Sequence, residues 1–239
     1  MFSLLIPAIA LLAVILPAAA LEAPDDSTGI PDEDWPDLAH YRGANAKLGP
    51  PAPDEARVVF IGASMVEQWL PDFRGHFPGK PWVNRGIGGQ TTPQVLVRFR
   101  QDVIDLKPRA VVILCGTNDI AGNTGPMSLE DTQNNLASMA ELAKANGIEV
   151  VLASVTPSTE FPWRTGLRPA ETIRTLNRWI QQYAESHEAV YLDYHSTLAN
   201  AEGGFKAEWT TDGVHANDGG YAAMAPLAEA AIARALRGR

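Results

Sequence analysis

The chain has 239 residues, 46% hydrophobic and 20% charged, enough for one sizeable α/β domain with a buried core. Its 19 Lys and Arg residues against 28 Asp and Glu residues give a net charge of −9. Because no basic patch stands out that would bind a phosphate backbone, we exclude nucleic acid as a partner.

The first twenty residues, MFSLLIPAIALLAVILPAAA, carry no charged side chain and end in three alanines. This pattern predicts a signal peptide over residues 1–20, cleaved near Ala20, and a secreted or periplasmic protein without stable membrane insertion afterwards. Since no Lys or Arg precedes the apolar run, an uncleaved N-terminal anchor is the alternative. Pro7 and Pro17 favour the signal peptide, because proline fits poorly into a continuous spanning helix.

Residues 21–56 are rich in proline and acidic side chains, which predicts an arm on the surface of the domain that follows. Within this arm, the segment DWPDLAHYRGANAKL has a helical pattern and is expected to dock onto the domain. The domain itself is predicted over residues 57–239.

From Arg57 onward, apolar runs of strand length alternate with amphipathic segments. Such alternation predicts a parallel sheet covered by helices on both faces. The five predicted strands are RVVFIG, PWVNRGI, AVVILCG, IEVVLAS and AVYLDY.

Three long helices are predicted between and after the later strands. The first begins after Ser128, with Asp131 in capping-box position, and ends before Gly147. The other two are PAETIRTLNRWIQQYAESH and NDGGYAAMAPLAEAAIARALR. The single cysteine, Cys115, lies in a predicted strand and is therefore expected to be a core residue that forms no intrachain disulfide.

Three polar or glycine-rich segments follow the first three strands: GAS, GIGGQTT and GTND. Open parallel sheets bind ligands beyond the carboxyl ends of their strands, so we expect these segments to meet. Ser64, in the first of them, is a candidate nucleophile. The alternative is that Ser64 caps a short helix, MVEQWL, as serines after strands often do.

A serine nucleophile needs a base, a group that orients the base, and donors for the oxyanion. His215 and Asp212, three residues apart in TDGVHAN, are candidates for base and orienting acid. Gly89 offers an N–H that a substrate oxygen can approach closely, Asn118 offers an amide, and the Ser64 N–H is a third donor. Taken singly, these residues are equally typical of turns and loops.

The order GAS, RGIGGQTT, GTND and DGVH, across residues 57–236, resembles the SGNH hydrolase superfamily, also called the GDSL esterases and lipases. The segment from Asn84 to Thr124 is similar to secreted bacterial lysophospholipase-like esterases and to the catalytic subunits of platelet-activating-factor acetylhydrolase. The α/β-hydrolase class is excluded, because its G-x-S-x-G elbow requires a second glycine at the position where this chain has Val66.

The resemblance implies a three-layer α/β/α flavodoxin-like fold with a five-stranded parallel sheet, and no metal or organic cofactor. It also implies a serine esterase that works through an acyl-enzyme intermediate. The implied catalytic residues are Ser64, Asp212 and His215, and the implied oxyanion hole consists of Ser64, Gly89 and Asn118.

One position departs from the family, which has Gly-Asp-Ser where this chain has Gly62-Ala63-Ser64. In the family the aspartate braces the loop by hydrogen bonds. We expect neighbours such as Gln90 or Thr91 to brace it here. The alternatives are a slower enzyme with altered preference, or an exported ligand-binding protein without catalysis.

Substrate choice is expected to depend on the segment TPSTEFPWRTGLRPA after the fourth strand. Phe161, Trp163, Arg164 and Arg168 either form an apolar wall with a cationic edge or belong to a plain surface loop. Because no long apolar lid is evident, esters of small or medium acyl chains are favoured over water-insoluble triglyceride, and a small-molecule ester is the expected partner. Trp69 and Trp82 are assigned to the core. The sequence does not indicate an oligomeric state.

Overall fold

The computed structural model describes residues 34–237, except for the side chain of residue 70. The predicted signal peptide (1–20), the first part of the predicted arm (21–33) and residues 238–239 lie outside the described residues. Within 34–237, no helix is long and apolar enough to cross a membrane.

In the part of the chain that the structure describes, five strands form a single parallel sheet in the order β2-β1-β3-β4-β5, which confirms the predicted fold class. The strands are β1 Val58–Gly62, β2 Trp82–Gly86, β3 Ala110–Leu114, β4 Glu149–Ala153 and β5 Val190–Leu192. Each lies inside the apolar run from which it was predicted.

Helices precede, connect and follow these strands. They are α1 Arg42–Leu48, α2 Ser64–Glu67, α3 Phe73–His76, α4 Thr92–Asp102, α5 Thr117–Ala121, α6 Leu129–Ala145, α7 Ala170–Ser186, α8 His195–Leu198 and α9 Asp218–Arg237. Short 3₁₀ turns cover Leu70–Asp72, Ile104–Leu106 and Ala207–Trp209.

Alternate strand residues point to opposite faces of the sheet, so the buried apolar runs supply two cores. Val59, Ile61 and their counterparts on β3 and β4 pack against α4, α6 and α7. Val58 and Phe60 pack on the other face, against the aromatic residues after α2 and the alanine-rich α9. The two cores therefore define three layers.

The long helices agree closely with their sequence signals. Ser128 and Asp131 form a reciprocal capping box at the start of α6, and Gly147 follows its end with φ +69°. Trp69 is buried and Trp82 partly buried in the second core, as predicted.

The described part of the arm docks onto the domain, as predicted, but its helix is shorter than the sequence indicated. Residues 34–41 form turns and only Arg42–Leu48 is helical. Asn45 accepts from the Arg85 side chain (2.7 Å) and donates to Asp102 (2.6 Å). Tyr41 donates to the carbonyl oxygen of Gly86. These long-range contacts, which sequence patterns do not reveal, hold the turns in place.

Candidate active site

The three segments that follow β1, β2 and β3 meet at the carboxyl edge of the sheet. Ser64 is the first residue of α2, and Ala63 occupies the N-cap position. No side-chain hydrogen bond caps this helix, so capping does not account for the Ser64 hydroxyl. Gly62 fits the close packing of β1 beside β3, because a Cβ there would lie 1.9 Å from the carbonyl oxygen of Leu114.

Ser64, His215 and Asp212 form one hydrogen-bonded chain. The Ser64 Oγ lies 2.9 Å from His215 Nε2, and His215 Nδ1 lies 2.7 Å from Asp212 Oδ2. Ser64 and His215 are 151 positions apart in sequence, yet the fold places their side chains in direct contact. The arrangement can pass a proton from the hydroxyl to the imidazole while the carboxylate fixes the ring.

The loop before α9 orients Asp212 through its own backbone. The N–H groups of Val214 (2.9 Å) and His215 (2.8 Å) donate to Asp212 Oδ1, and Thr210 Oγ1 donates to the His215 carbonyl oxygen (2.7 Å). Partial burial raises the pKa of Asp212, but hydrogen bonds from the His215 backbone, the His215 side chain and Val214 outweigh burial and lower this pKa to about 2. Asp212 therefore stays ionised across the neutral and mildly acidic range.

The N–H groups of Ser64 and Gly89 are among the backbone donors beside the Ser64 hydroxyl that have no acceptor within residues 34–237. Gly89 adopts φ +76°, a conformation that favours glycine, and the space where its Cβ would lie is open. A Cβ built on the adjacent Gly88 would lie 4.0 Å from the Ser64 Cβ. The glycine turn after β2 is therefore next to the hydroxyl.

Asn118, in α5, is buried and held by both ends of its amide. Its Nδ2 donates to the carbonyl oxygen of Gln90 (2.9 Å), and its Oδ1 accepts from Asn123 (3.0 Å). One of the two Nδ2 protons remains for a ligand oxygen. The structure thus gathers all five residues predicted from the sequence at one edge of the sheet.

Asn123 is a site residue that sequence reasoning missed. Its Nδ2 is shared between Asn118 Oδ1 and the Gly89 carbonyl oxygen (3.2 Å), while its Oδ1 accepts from the Trp163 ring nitrogen (3.0 Å). One amide therefore connects two candidate oxyanion donors to a distant loop. The only signal was its position five residues after Asn118.

Arg98 is a second residue that was missed. This buried guanidinium on α4 donates to the carbonyl oxygens of Gly62 (2.8 Å) and Arg85 (2.8 Å), to Gln90 Oε1 (2.6 Å), and to Asp102 (3.1 Å). It connects the ends of β1 and β2 just before both site loops begin. The loop that carries Ser64 is therefore braced from α4 in this chain.

The two neighbours expected to compensate for Ala63 have different roles. Gln90 contributes to the brace by accepting from Arg98 and by donating to the carbonyl oxygen of Pro36 (2.8 Å). Thr91 instead caps α4 in a capping box with Gln94. Ala63 itself is buried beside Ser64.

Asp119, next to Asn118, accepts hydrogen bonds from the first residue of α4. It accepts from the N–H of Thr92 (3.1 Å) and from the Thr92 hydroxyl. Burial raises the pKa of Asp119, while the hydrogen bonds from Thr92 and Thr132 act in the opposite direction. A carboxylate at a helix N-terminus also interacts favourably with the helix dipole.

The loop after β4 contributes a wall on one side of the site. Trp163 stacks on the buried Phe161 (5.2 Å between ring centroids) and lies 6.5 Å from the His215 ring in a nearly parallel orientation. Arg164 approaches Gly122, whereas Arg168 pairs with Glu160 at the exposed surface (3.2 Å). The aromatic part of the predicted wall therefore lies at the site, and Arg168 does not supply a cationic edge.

Two spaces of very different size lie at the site, one lined by Ser64 and the other by the neighbouring glycine turn. The first is an enclosed cavity of about 10 Å³, lined by Ala63, Ser64, Met65, Leu114, Cys115, Thr117 and Val214. The second is an open groove of about 580 Å³, lined by Trp35, Gly88, Gly89, Gln90, Gln94, Asn123, Thr124 and Trp163. Among residues 34–237, no group of three or more His, Cys, Asp or Glu side chains is arranged to hold a metal.

We expect Cys115 to resist alkylation in the folded protein by at least 100-fold relative to the unfolded chain. It is buried, as predicted, and burial raises the pKa of its thiol, so the reactive thiolate is scarce. The measurement is the rate of iodoacetamide labelling at pH 8, with and without urea. Equal rates in the two conditions contradict the assignment.

Comparison with known proteins identifies the family. The model of the GDSL-like lipase/acylhydrolase family matches residues 59–223. The chain is 41% identical to a GDSL-like lipase of Bacteroides thetaiotaomicron whose crystal structure superimposes with a TM-score of 0.82, covering 84% of this chain and 100% of that one.

Two curated relatives extend the comparison. The chain is 26% identical to the alpha2 subunit of human platelet-activating factor acetylhydrolase IB over 219 residues, 89% of each protein. It is 38% identical over 120 residues to the lipoprotein YqeF of Bacillus subtilis, 43% of this chain and 49% of that protein, so this match spans about half the length of that relative. The chain belongs to the GDSL-like lipase/acylhydrolase family of hydrolases, as the sequence motifs predicted.

Proposed function

We propose that the protein is a serine esterase that hydrolyses small acyl esters through an acyl-enzyme intermediate on Ser64. The observation that carries this proposal is the continuous chain from Ser64 Oγ through His215 to Asp212, at 2.9 and 2.7 Å. We also propose that the protein is exported, as its first twenty residues predict.

In the first half of the reaction, the Ser64 oxygen attacks the ester carbonyl carbon while His215 Nε2 takes the hydroxyl proton. The carbonyl oxygen becomes an oxyanion that accepts from the N–H groups of Ser64 and Gly89 and from Asn118. When the tetrahedral intermediate collapses, the bond to the alcohol oxygen breaks and His215 returns the proton to that oxygen. Asp212, ionised throughout, keeps the imidazole oriented and stabilises its protonated form.

In the second half, water takes the place of the alcohol. His215 removes a proton from the water, whose oxygen attacks the acyl carbon and produces a second oxyanion in the same place. Collapse releases the carboxylic acid, and the Ser64 oxygen regains its proton from His215. No other group is required for the balance of atoms and charge.

The enclosed cavity favours a short acyl group. Its volume of about 10 Å³ corresponds to about one water-sized group, which matches the methyl of an acetyl ester. Ala63 is part of its wall, so the residue that replaces the family aspartate borders the space assigned to the acyl chain.

Labelling with a fluorophosphonate probe tests the proposed function. An activated serine attacks the probe phosphorus and expels fluoride, and peptide mass spectrometry is expected to locate the adduct on Ser64. A folded protein that remains unlabelled contradicts the esterase and favours the ligand-binding alternative.

We expect kcat/KM for p-nitrophenyl esters to fall at least tenfold from acetate to butyrate, because a pocket that lacks room for two methylenes excludes the longer chain. Val214→Ala, which enlarges the cavity while keeping the backbone, is expected to raise the ratio of butyrate to acetate activity. Val97→Ala is the control, since Val97 is exposed and does not line the cavity. A higher activity on butyrate than on acetate in the unmodified protein contradicts the acyl assignment.

A further inference from the structure

The open groove beside the glycine turn is lined by two exposed tryptophans and by uncharged polar groups. Trp35 is 49% exposed and Trp163 is 45% exposed, two of the most exposed large apolar side chains among residues 34–237. The remaining lining residues are glycines, amides and one threonine. Its volume of about 580 Å³ falls within the range of about 300–1,000 Å³ that is typical of small-molecule sites.

Hydrogen bonds anchor both sides of this groove. On the side of the arm, Gln94 donates to the Trp35 carbonyl oxygen (2.7 Å), and Gln90 donates to the Pro36 carbonyl oxygen (2.8 Å). On the other side, Trp163 donates its ring N–H to Asn123 (3.0 Å). A ligand therefore meets aromatic surfaces whose supports are already ordered, which lowers the entropic cost of binding.

The absence of charge in this lining distinguishes between ligand classes. Among residues 34–237, no Lys, Arg, Asp or Glu lines the groove, so a phosphate or a carboxylate would lose hydration there without gaining an ion pair from this part of the chain. Gln94 donates one of its two Nε2 protons to the Trp35 carbonyl oxygen, and a plain hydrocarbon would leave the second proton without a partner. The lining suits a neutral ligand that has apolar faces and hydroxyl edges.

A pyranose ring has this combination, because its C–H groups can lie on the negative face of an aromatic ring while its hydroxyls point sideways to amides. We propose that Trp35 and Trp163 form a subsite for a neutral sugar, the alcohol part of an acetylated saccharide substrate. The inference rests on the proposed function and names its substrate class. It also gives the arm a part in substrate binding.

The reaction geometry assigns the sugar to the groove and the acyl group to the cavity. The leaving oxygen must receive a proton from His215 Nε2, so the alcohol part leaves on the side of that ring. Trp163, at 6.5 Å from the His215 ring, belongs to the groove, whereas the enclosed cavity admits only a small acyl group. The two spaces therefore match an acetyl group and the sugar that carries it.

The test compares two acetyl esters that differ only in the alcohol. For the full chain, kcat/KM is measured on methyl 6-O-acetyl-glucoside, whose other hydroxyls are free, and on p-nitrophenyl acetate, and the ratio of the two values is taken. Trp35→Ala is expected to lower this ratio about five- to tenfold, mainly through a higher KM for the sugar ester, and Trp35→Phe is expected to restore most of it. Val97→Ala, an exposed position outside the groove, is expected to leave the ratio unchanged.

Two further esters identify other occupants. If Trp35→Ala instead lowers activity selectively on p-nitrophenyl octanoate, the groove holds an acyl chain, and if it does so on acetylcholine, the groove holds a quaternary ammonium. Either result overturns the sugar subsite, as does an unchanged ratio. Failure of the proposed function has a different signature, since p-nitrophenyl acetate is then not hydrolysed by the unmodified chain.

Discussion

Replacing Ser64 with alanine is expected to lower kcat/KM for p-nitrophenyl acetate by roughly four to six orders of magnitude. The variant loses the oxygen that would form the acyl-enzyme, while His215, Asp212 and the three oxyanion donors remain. If this variant still hydrolyses the ester faster than water alone does, the difference in rate measures the contribution of the oxyanion donors. The measurement is steady-state kinetics on purified protein, together with fluorophosphonate labelling, which is expected to be lost.

Ser196→Ala is the matched control, because Ser196 is an exposed serine near the start of a short helix. Among residues 34–237, its hydroxyl has no hydrogen-bond partner, and its N–H donates to Asp193 (2.9 Å). We expect its activity to equal that of the unmodified protein. Thermal unfolding of both variants separates a loss of chemistry from a loss of fold. Retention of activity in Ser64→Ala contradicts the nucleophile assignment.

Replacing Arg98 with methionine is expected to destabilise the folded protein by about 3–5 kcal/mol, because Asp102 then stays buried without its charged partner. Both side chains are inaccessible to solvent, and the carbonyl oxygens of Gly62 and Arg85 also lose a donor. The measurement is the free energy of unfolding from urea denaturation.

Arg100→Met, two positions along the same helix, provides the control, since Arg100 is exposed and its loss is expected to change the free energy of unfolding by less than about 0.5 kcal/mol. The double variant Arg98→Met/Asp102→Leu removes both buried charges and is expected to recover part of the stability. If Arg98→Met lowers the free energy of unfolding by less than about 1 kcal/mol, the role of Arg98 in holding the ends of β1 and β2 is contradicted.

The fold and the five candidate site residues could be predicted because their signals are local. Strand-length apolar runs separated by capped helices predict a parallel sheet, and parallel strands bring their carboxyl ends to one edge. Ser64, Gly89 and Asn118 follow consecutive strands, so the topology alone places them together. His215 and Asp212 are three residues apart, so their pairing requires only a short turn.

The residues that support the site could not be predicted, because their roles depend on distant partners. Arg98 lies in an amphipathic helix where an arginine is normally solvent-exposed, and its acceptor, the Gly62 carbonyl oxygen, is 36 residues away. Trp163 meets Asn123 across 40 residues, and Trp35 meets Gln94 across 59. In the same way, the sequence from 34 to 41 has a helical pattern but forms turns, because contacts with the domain outweigh its local helix propensity.

The brace through Arg98 bears on how relatives of this protein are recognised. Because the carbonyl oxygen just before Ala63 is held from the opposite face of β1, this chain has a means of positioning the serine loop that is independent of the side chain at position 63. A search pattern written as Gly-Asp-Ser passes over such sequences. A pattern that joins Gly-x-Ser to a buried arginine after the glycine turn, and to Asp-x-x-His near the end of the domain, would collect them.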